Sequence, residues 1–313
     1  MLYPLKLNPL FKQRLWGGNR LARVLGLTVP PGPPTGELWA VSDHPAGQSL
    51  IANGPFCGKT LGEITELYPQ ELLGRENCPG RFPLLLKILD AGARLSVQVH
   101  PDDCYASQYE QDNGKTEMWY ILQAGPRAEI VYGLRSGVTA GHLLRSLRAG
   151  TVEQLLNRVK VKAGDVFFIP AGLVHALGED ILAAEVQQNS DITYRLYDYG
   201  RVDENGLPRE LHIAKALAVV NCRLHPGPYT LGKPFRCDKF AVDLLRVDNC
   251  TVCHKLIHGL EICLVLQGSG QVLTRPKLEL RAGDALVLPA CLKTIILKGQ
   301  MQLLRTRLNP GLS

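Results

Sequence analysis

The 313-residue chain has no apolar run approaching the roughly eighteen residues that a membrane-spanning helix needs. It has no block of lysine and arginine either. The formal net charge of +6 is spread along the sequence, so nucleic acid finds no electrostatic footprint. The opening stretch, MLYPLKLNPLFKQRLWGGNR, lacks the apolar core and cleavage site of an export signal, so a cytoplasmic setting is expected. Paired knuckle cysteines are missing too. Nine cysteines occur at irregular spacing, and the lone Cys250-Thr-Val-Cys253 has only His254 and His258 crowded nearby. In a cytoplasmic protein these read as reduced thiols and small strand residues, not as disulfides or a zinc knuckle. The mild positive charge suits an anionic small substrate such as a sugar phosphate. Oligomeric state is left open.

What the chain does have is many short β-rich runs punctuated by glycine and proline. Examples are ELWAVSDH (37–44), RLSVQVH (94–100), EMWYILQ (117–123), DVFFIP (165–170), ILAAEVQQ (181–188), AVDLLRV (241–247), EICLVLQ (261–267) and DALVLP (284–289). Helical signals are few. Thr60-Leu-Gly-Glu63 is a capping box before a short helix ending near Pro69. Thr139 and Thr151 are expected to cap helices over HLLRSL and EQLLNRV, and a further helix is expected over Arg209 to Val219.

An internal repeat organises the rest. Ala163-Gly-Asp-Val-Phe-Phe-Ile-Pro-Ala171 returns as Ala282-Gly-Asp-Ala-Leu-Val-Leu-Pro-Ala290. Glu117-Met-Trp-Tyr-Ile-Leu-Gln returns as Glu261-Ile-Cys-Leu-Val-Leu-Gln, in the same order but at a longer offset. A helical insert over 139–160 accounts for some of that difference. In the shared phrase Gly-Asp turns the chain, four apolar residues make a buried strand, and Pro ends it. The phrase resembles the second motif of the cupin β-barrel. The expected fold is therefore mainly β: two tandem cupin (jelly-roll-like) β-barrels with a few short covering helices. The division is expected at the Pro/Gly-rich HPGPYTLGKP, with residues 1–230 forming a metal-binding domain and 231–313 a metal-free one.

The sharpest chemical signal is Arg94-Leu-Ser-Val-Gln-Val-His-Pro-Asp-Asp103. Strand alternation puts Ser96, Gln98 and His100 on one face and Leu95, Val97 and Val99 on the other. Three polar side chains opposite an aliphatic face suggest a lined cavity. Lys115 and Glu117 share a face in the same way, and Pro170-Ala-Gly-Leu-Val-His175 brings a second histidine. Two imidazoles and a carboxylate suit a divalent first-row metal, with Gln98 as a neutral fourth ligand. The second repeat serves as a control: it keeps Glu261, but the position matching His175 is Thr294. Further on, Asp191, Thr193 and Arg195 alternate, and an arginine directed inward can stabilise a developing oxyanion. The bland reading is a surface ion pair of Arg195 with Asp191 or Asp198.

Several phrases together resemble the type I mannose-6-phosphate isomerases, particularly the short bacterial form. They are Phe11-Lys-Gln-Arg-Leu-Trp-Gly-Gly18, Gly36-Glu-Leu-Trp-Ala-Val-Ser-Asp-His-Pro45, Phe82-Pro-Leu-Leu-Leu-Lys87, Leu95-Ser-Val-Gln-Val-His-Pro-Asp102, Gly114-Lys-Thr-Glu117, Ile169-Pro-Ala-Gly-Leu-Val-His175 and Asn189-Ser-Asp-Ile-Thr-Tyr-Arg195. The resemblance implies one zinc ion per chain, interconversion of D-mannose 6-phosphate and D-fructose 6-phosphate through a cis-enediol, and metal ligands Gln98, His100, Glu117 and His175. It places Arg195 as the catalytic arginine, Lys87 and Ser96 at the substrate phosphate, and Lys115 and Asp191 in the same pocket. The general base stays open among Asp191, Lys115 and a metal-bound water. Two other classes compete: a ferrous cupin oxygenase, disfavoured because Gln98 stands where a histidine is usual, and a non-enzymatic cupin that binds sugar phosphates.

Overall fold

A computed structural model describes residues 2–74, 80–202, 205–227, 229–230, 234–255 and 259–309. His258 lies outside the described residues, as do residues 231–233 at the expected division and the side chains of Cys250 and Cys253. The architecture is mainly β. The strands are β1 (Leu5–Leu7), β2 (Leu10–Gly18), β3 (Thr35–Val41), β4 (Asp43–His44), β5 (Gly47–Gln48), β6 (Leu84–Ala91), β7 (Val97–Val99), β8 (Glu117–Ala124), β9 (Glu129–Leu134), β10 (Leu156–Lys160) and β11 (Asp165–Ile169). They continue as β12 (His175–Ala176), β13 (Ile181–Gln188), β14 (Tyr194–Tyr197), β15 (Tyr229–Thr230), β16 (Phe235–Arg236), β17 (Phe240–Lys255), β18 (Glu261–Val272), β19 (Leu278–Arg281), β20 (Ala285–Leu288) and β21 (Thr294–Leu308).

Three large sheets result. The first has the order β15-β11-β8-β13-β6-β2-β3, the second β10-β9-β12-β7-β14, and the third β1-β20-β18-β21-β17-β16 with β19 on β18. Each strand path is open among the described residues. The first sheet lies in the middle. One face packs Trp119, Phe167 and Leu89 against Ile130 and Tyr132 of the second sheet. Its other face packs Leu86, Ile88, Met118 and Val186 against Phe240, Ile262 and Leu304 of the third. Burial on both faces explains why LLLKILDA and ILAAEVQQ are nearly continuous apolar runs, buried at every position. On the outside of the second sheet Val97, Val99 and Tyr194 meet Leu143 and Ala216 from two helices, Ala140–Arg148 and Ile213–Val219.

The repeat seen in the sequence is kept in strand register. Glu117 pairs with Ile169 across β8 and β11, and Glu261 pairs with Leu288 across β18 and β20. On the other side Trp119 faces Glu185, which faces Lys87; in the third sheet Cys263 faces Arg305, which faces Asp243. The equivalent pair thus has its charges exchanged. The chain start joins the third sheet, because β1 pairs with β20.

One helix expectation fails and another is shortened at its start. After Thr151 there is only a 3₁₀ turn over Val152–Leu155, with no side-chain cap, and Leu156–Lys160 is a strand. Pairing with β9 there satisfies more backbone than an isolated two-turn helix could. The 139–160 insert is therefore helical only over Ala140–Arg148, capped by Thr139 as expected. The helix expected from Arg209 begins at Ile213, since residues 210–212 are held instead against β14. The capping box at Thr60 and Glu63 is present.

Candidate metal centre and substrate cavity

Between the first two sheets opens a cavity of about 520 Å³. The second sheet supplies one wall through a single cross-strand row: Arg195 faces Gln98, which faces His175, which faces Tyr132. The expected Ser96/Gln98/His100 face is real, but Leu95 also lines the cavity, because regular strand begins only at Val97. Local chemistry explains the phrases around it. Pro101 ends the strand and Asp102 caps the next helix by accepting from Tyr105 N–H at 2.8 Å. The Lys115 N–H donates to the Pro101 carbonyl at 3.0 Å, which draws the two phrases together. In Pro170-Ala-Gly172, Gly172 takes φ +84° and donates to the His100 carbonyl at 2.9 Å, so the two histidine segments meet.

His100, Glu117 and His175 are all buried, with potential ligand atoms within 4.8 Å of one another. Among the described residues no other group of three or more such side chains gathers in this way. The His175 Nε2 is 3.1 Å from Glu117 Oε1, and the His100 Nε2 is 3.7 Å from it. The His175 Nδ1 is 2.8 Å from the Leu173 carbonyl; donation there leaves the Nε2 lone pair facing the cluster. The amide of Gln98 is 3.3 Å from that Nε2, and exchange of its nitrogen and oxygen presents an acceptor to the same point.

Both Glu117 oxygens are buried without a hydrogen-bond partner. Lys115, 3.4 Å from Oε2, balances the charge but leaves these lone pairs without a hydrogen bond; a bound cation would take them up, so the donor set fits a metal. Its protonation states fit as well. Burial, then the nearby Lys115 ammonium, pushes the His100 imidazole down to about 3, which keeps it neutral. Burial alone would push the Glu117 carboxyl up, but Lys115 and His100 outweigh it and hold it well below the usual range.

The opposite wall comes from the first sheet. Lys87, only 3% exposed, lies 3.5 Å from Asp191, 3.6 Å from Glu185 and 3.9 Å from Glu37. Burial opposes its charge, but these carboxylates win and raise it. The Trp119 indole donates to Glu185 at 2.8 Å and the Trp39 indole to Glu37 at 2.6 Å. Burial, then the charge of Glu117, pushes the Glu185 carboxyl up to about 7. Asp191 is held low, with Lys87 and Lys115 outweighing its burial.

All the residues expected from the sequence come together. Ser96, Gln98, Lys115, Lys87, Asp191 and Arg195 line the cavity, and the metal-type triad adjoins it, with His175 3.3 Å from the Gln98 amide and His100 3.2 Å from Lys115 Nζ. Arg195 does not make the surface pair weighed above: Arg201 and Arg209 hold Asp198 instead. Sequence reasoning missed Arg14, Glu37, Glu185 and Arg209, which also line it. A signal existed for two of them. Glu37 and Glu185 are lone carboxylates inside apolar strands.

The catalytic-domain model of the type I phosphomannose isomerases matches residues 4–124. A mannose-6-phosphate isomerase from Streptococcus mutans is 37% identical over 327 aligned positions, covering 99% of each chain. The chain belongs to the type I phosphomannose isomerase family. The isomerase ManA of Bacillus subtilis is 48% identical over 229 residues, 73% of this chain and 71% of that one. A crystal structure of a Bacillus subtilis mannose 6-phosphate isomerase superposes with a TM-score of 0.87 at 38% identity, covering 97% of this chain and 99% of that one. In this isomerase-family chain the Trp16-Gly17-Gly18 phrase has a packing reason. A Cβ on Gly18 would sit 2.1 Å from Asp90 Oδ1, and Asp90 accepts the Leu21 N–H at 2.9 Å.

Proposed function

We propose that the protein interconverts D-mannose 6-phosphate and D-fructose 6-phosphate, using one zinc ion held by Gln98, His100, Glu117 and His175. The observation that carries this is the buried Glu117 carboxylate, neither oxygen of which accepts a hydrogen bond, gathered with two imidazoles beside the Gln98 and Lys115 edge of a cationic cavity. Zinc there supplies Lewis acidity toward substrate oxygens. The remaining tasks fall to the chain. Five cationic side chains line the cavity against three carboxylates, which suits a phosphate ester. Lys87 from the first sheet and Ser96, just before β7 of the second, orient it from opposite walls. Arg195 offsets the negative charge that grows on the carbonyl oxygen as the carbon acid is deprotonated.

A single base must carry the proton between C1 and C2 through the cis-enediol. Of the groups open at the sequence level, Asp191 is held low by Lys87 and Lys115, and Lys115 lies 3.4 Å from Glu117. Glu185 suits the task better: it is buried, lines the cavity, and in the metal-free protein burial and the Glu117 charge raise its carboxyl to about 7, toward the range where a base takes up and returns a proton efficiently.

The two related units are read as tandem cupin jelly rolls, with the division near residue 230 and a structural role for the metal-free second unit. The conserved register of the shared phrase supports that reading. A cytoplasmic setting and a small-molecule partner complete it; among the described residues no helix is long and apolar enough to cross a membrane.

A coupled isomerase assay on metal-loaded protein, with and without chelator, tests the proposal. Turnover of mannose 6-phosphate that vanishes on chelation and returns with zinc is expected. Turnover that survives complete metal removal, or oxygen consumption with bound iron, would overturn it.

A further inference from the structure

Arg195 lies on an edge strand. β14 has a partner, β7, on one side only, and Arg195 faces Gln98 across that pairing. Backbone groups on the open side of such a strand need partners from elsewhere. Arg195 finds two of them in one residue. Its N–H donates to His212 Nδ1 at 3.2 Å, and its carbonyl accepts from the His212 N–H at 2.8 Å. The imidazole nitrogen thus takes the place of a neighbouring strand's carbonyl. The same segment reaches the side chain, because the Glu210 carbonyl accepts from Arg195 Nη1 at 2.6 Å. His212 is itself anchored: its carbonyl accepts from Ala216 N–H at 2.9 Å, and Ala216 is buried under the second sheet.

We infer that His212 is a positioning residue for Arg195, its Nδ1 lone pair completing the strand edge and setting where the guanidinium enters the cavity. This rests on the reading of Arg195 as a group that acts on the reacting substrate. The Nδ1 must be unprotonated to accept, so the ring proton sits on Nε2, which lies 3.7 Å from the Glu210 carboxylate. The requirement is for an acceptor at the Nδ1 point rather than for an imidazole. Asparagine offers its Oδ1 close to that point; alanine offers nothing.

The test uses metal-loaded enzyme carrying His212→Ala, His212→Asn, Arg195→Ala, or His212→Ala with Arg195→Ala. Loss of one backbone hydrogen bond predicts a fall of roughly 3- to 10-fold in kcat for His212→Ala, with zinc content and KM nearly unchanged. His212→Asn should recover most of that loss. In the Arg195→Ala background His212→Ala should change turnover by less than about twofold, because two substitutions acting through one group do not add. Wild-type turnover in His212→Ala, equal losses for the Asn and Ala variants, or additive losses in the double variant would each overturn the positioning role. Full turnover in Arg195→Ala would overturn the reading of Arg195 itself, and this inference with it. An impaired Arg195→Ala beside an unimpaired His212→Ala would overturn the positioning role alone.

Discussion

Replacing Lys87 by methionine should unfold the protein at a markedly lower temperature. Methionine keeps the apolar stem and its packing on Trp39 but removes the ammonium, which sits 5.0 Å from that ring's centroid. Glu185 and Asp191 then lose their nearest cation, while Glu37 keeps Arg14 at 2.7 Å. At an effective dielectric of about 20, two charges about 4 Å apart attract by roughly 4 kcal/mol. Desolvation offsets most of that gross attraction in the intact cluster, so the cost lies in what remains when one partner goes. Asp191, whose side chain is 36% exposed, is partly screened by water; Glu37 and Glu185 are not. Removing one member of a buried ion pair costs about 3–5 kcal/mol. At about 2–4 °C per kcal/mol for a large domain, Tm should fall by roughly 6–20 °C. Thermal melting followed by circular dichroism at neutral pH measures this. Repeating the melt at pH 8, where more of Glu185 is ionised, should deepen the loss, and adding Glu185→Gln should restore part of it there. A Lys87→Met protein melting within about 2 °C of its parent would falsify the premise that these carboxylates are ionised around Lys87.

Glu185→Gln by itself should lower kcat by about 10²- to 10⁴-fold while zinc content stays the same, as loss of a general base does. The same carboxyl gives the metal-free protein a pH signature. Its folded pKa is raised to about 7, so its contribution to stability is present below the ordinary carboxylate range and fades as pH rises through 7. Urea titrations between pH 5 and 8 should show a steeper decline for the parent than for Glu185→Gln. Glu117→Ala should abolish zinc binding, read by metal analysis after gel filtration, because it removes the one carboxylate of the cluster. Arg195→Ala should depress turnover far more than metal content; loss of zinc instead would give Arg195 a structural role.

The strand content, the repeat and the metal set were legible because each rests on local regularities. Alternation put Gln98 and His100 on one face, and Glu117 and Ile169 paired as the repeated phrase required. Cap chemistry identified Thr60 and Thr139 correctly, since a cap needs only its own turn. Thr151 misled for the opposite reason: whether EQLLNRV coils or extends was decided by the open edge of β9, which lies elsewhere in the chain. Leu95 misled because strand geometry starts two residues later than its alternation suggested.

By itself, the sequence determined which side chains gather at the candidate site: two histidines, a carboxylate, an amide and an arginine, placed by strand periodicity. Only the tertiary structure decided how they are tuned. The burial of Glu185 between Trp119 and Lys87, the three carboxylates around one lysine and the histidine that completes the edge of β14 join segments far apart in the chain. Their proton affinities and positions come from low-dielectric neighbours and unpaired strand edges, and neither exists until the sheets have packed.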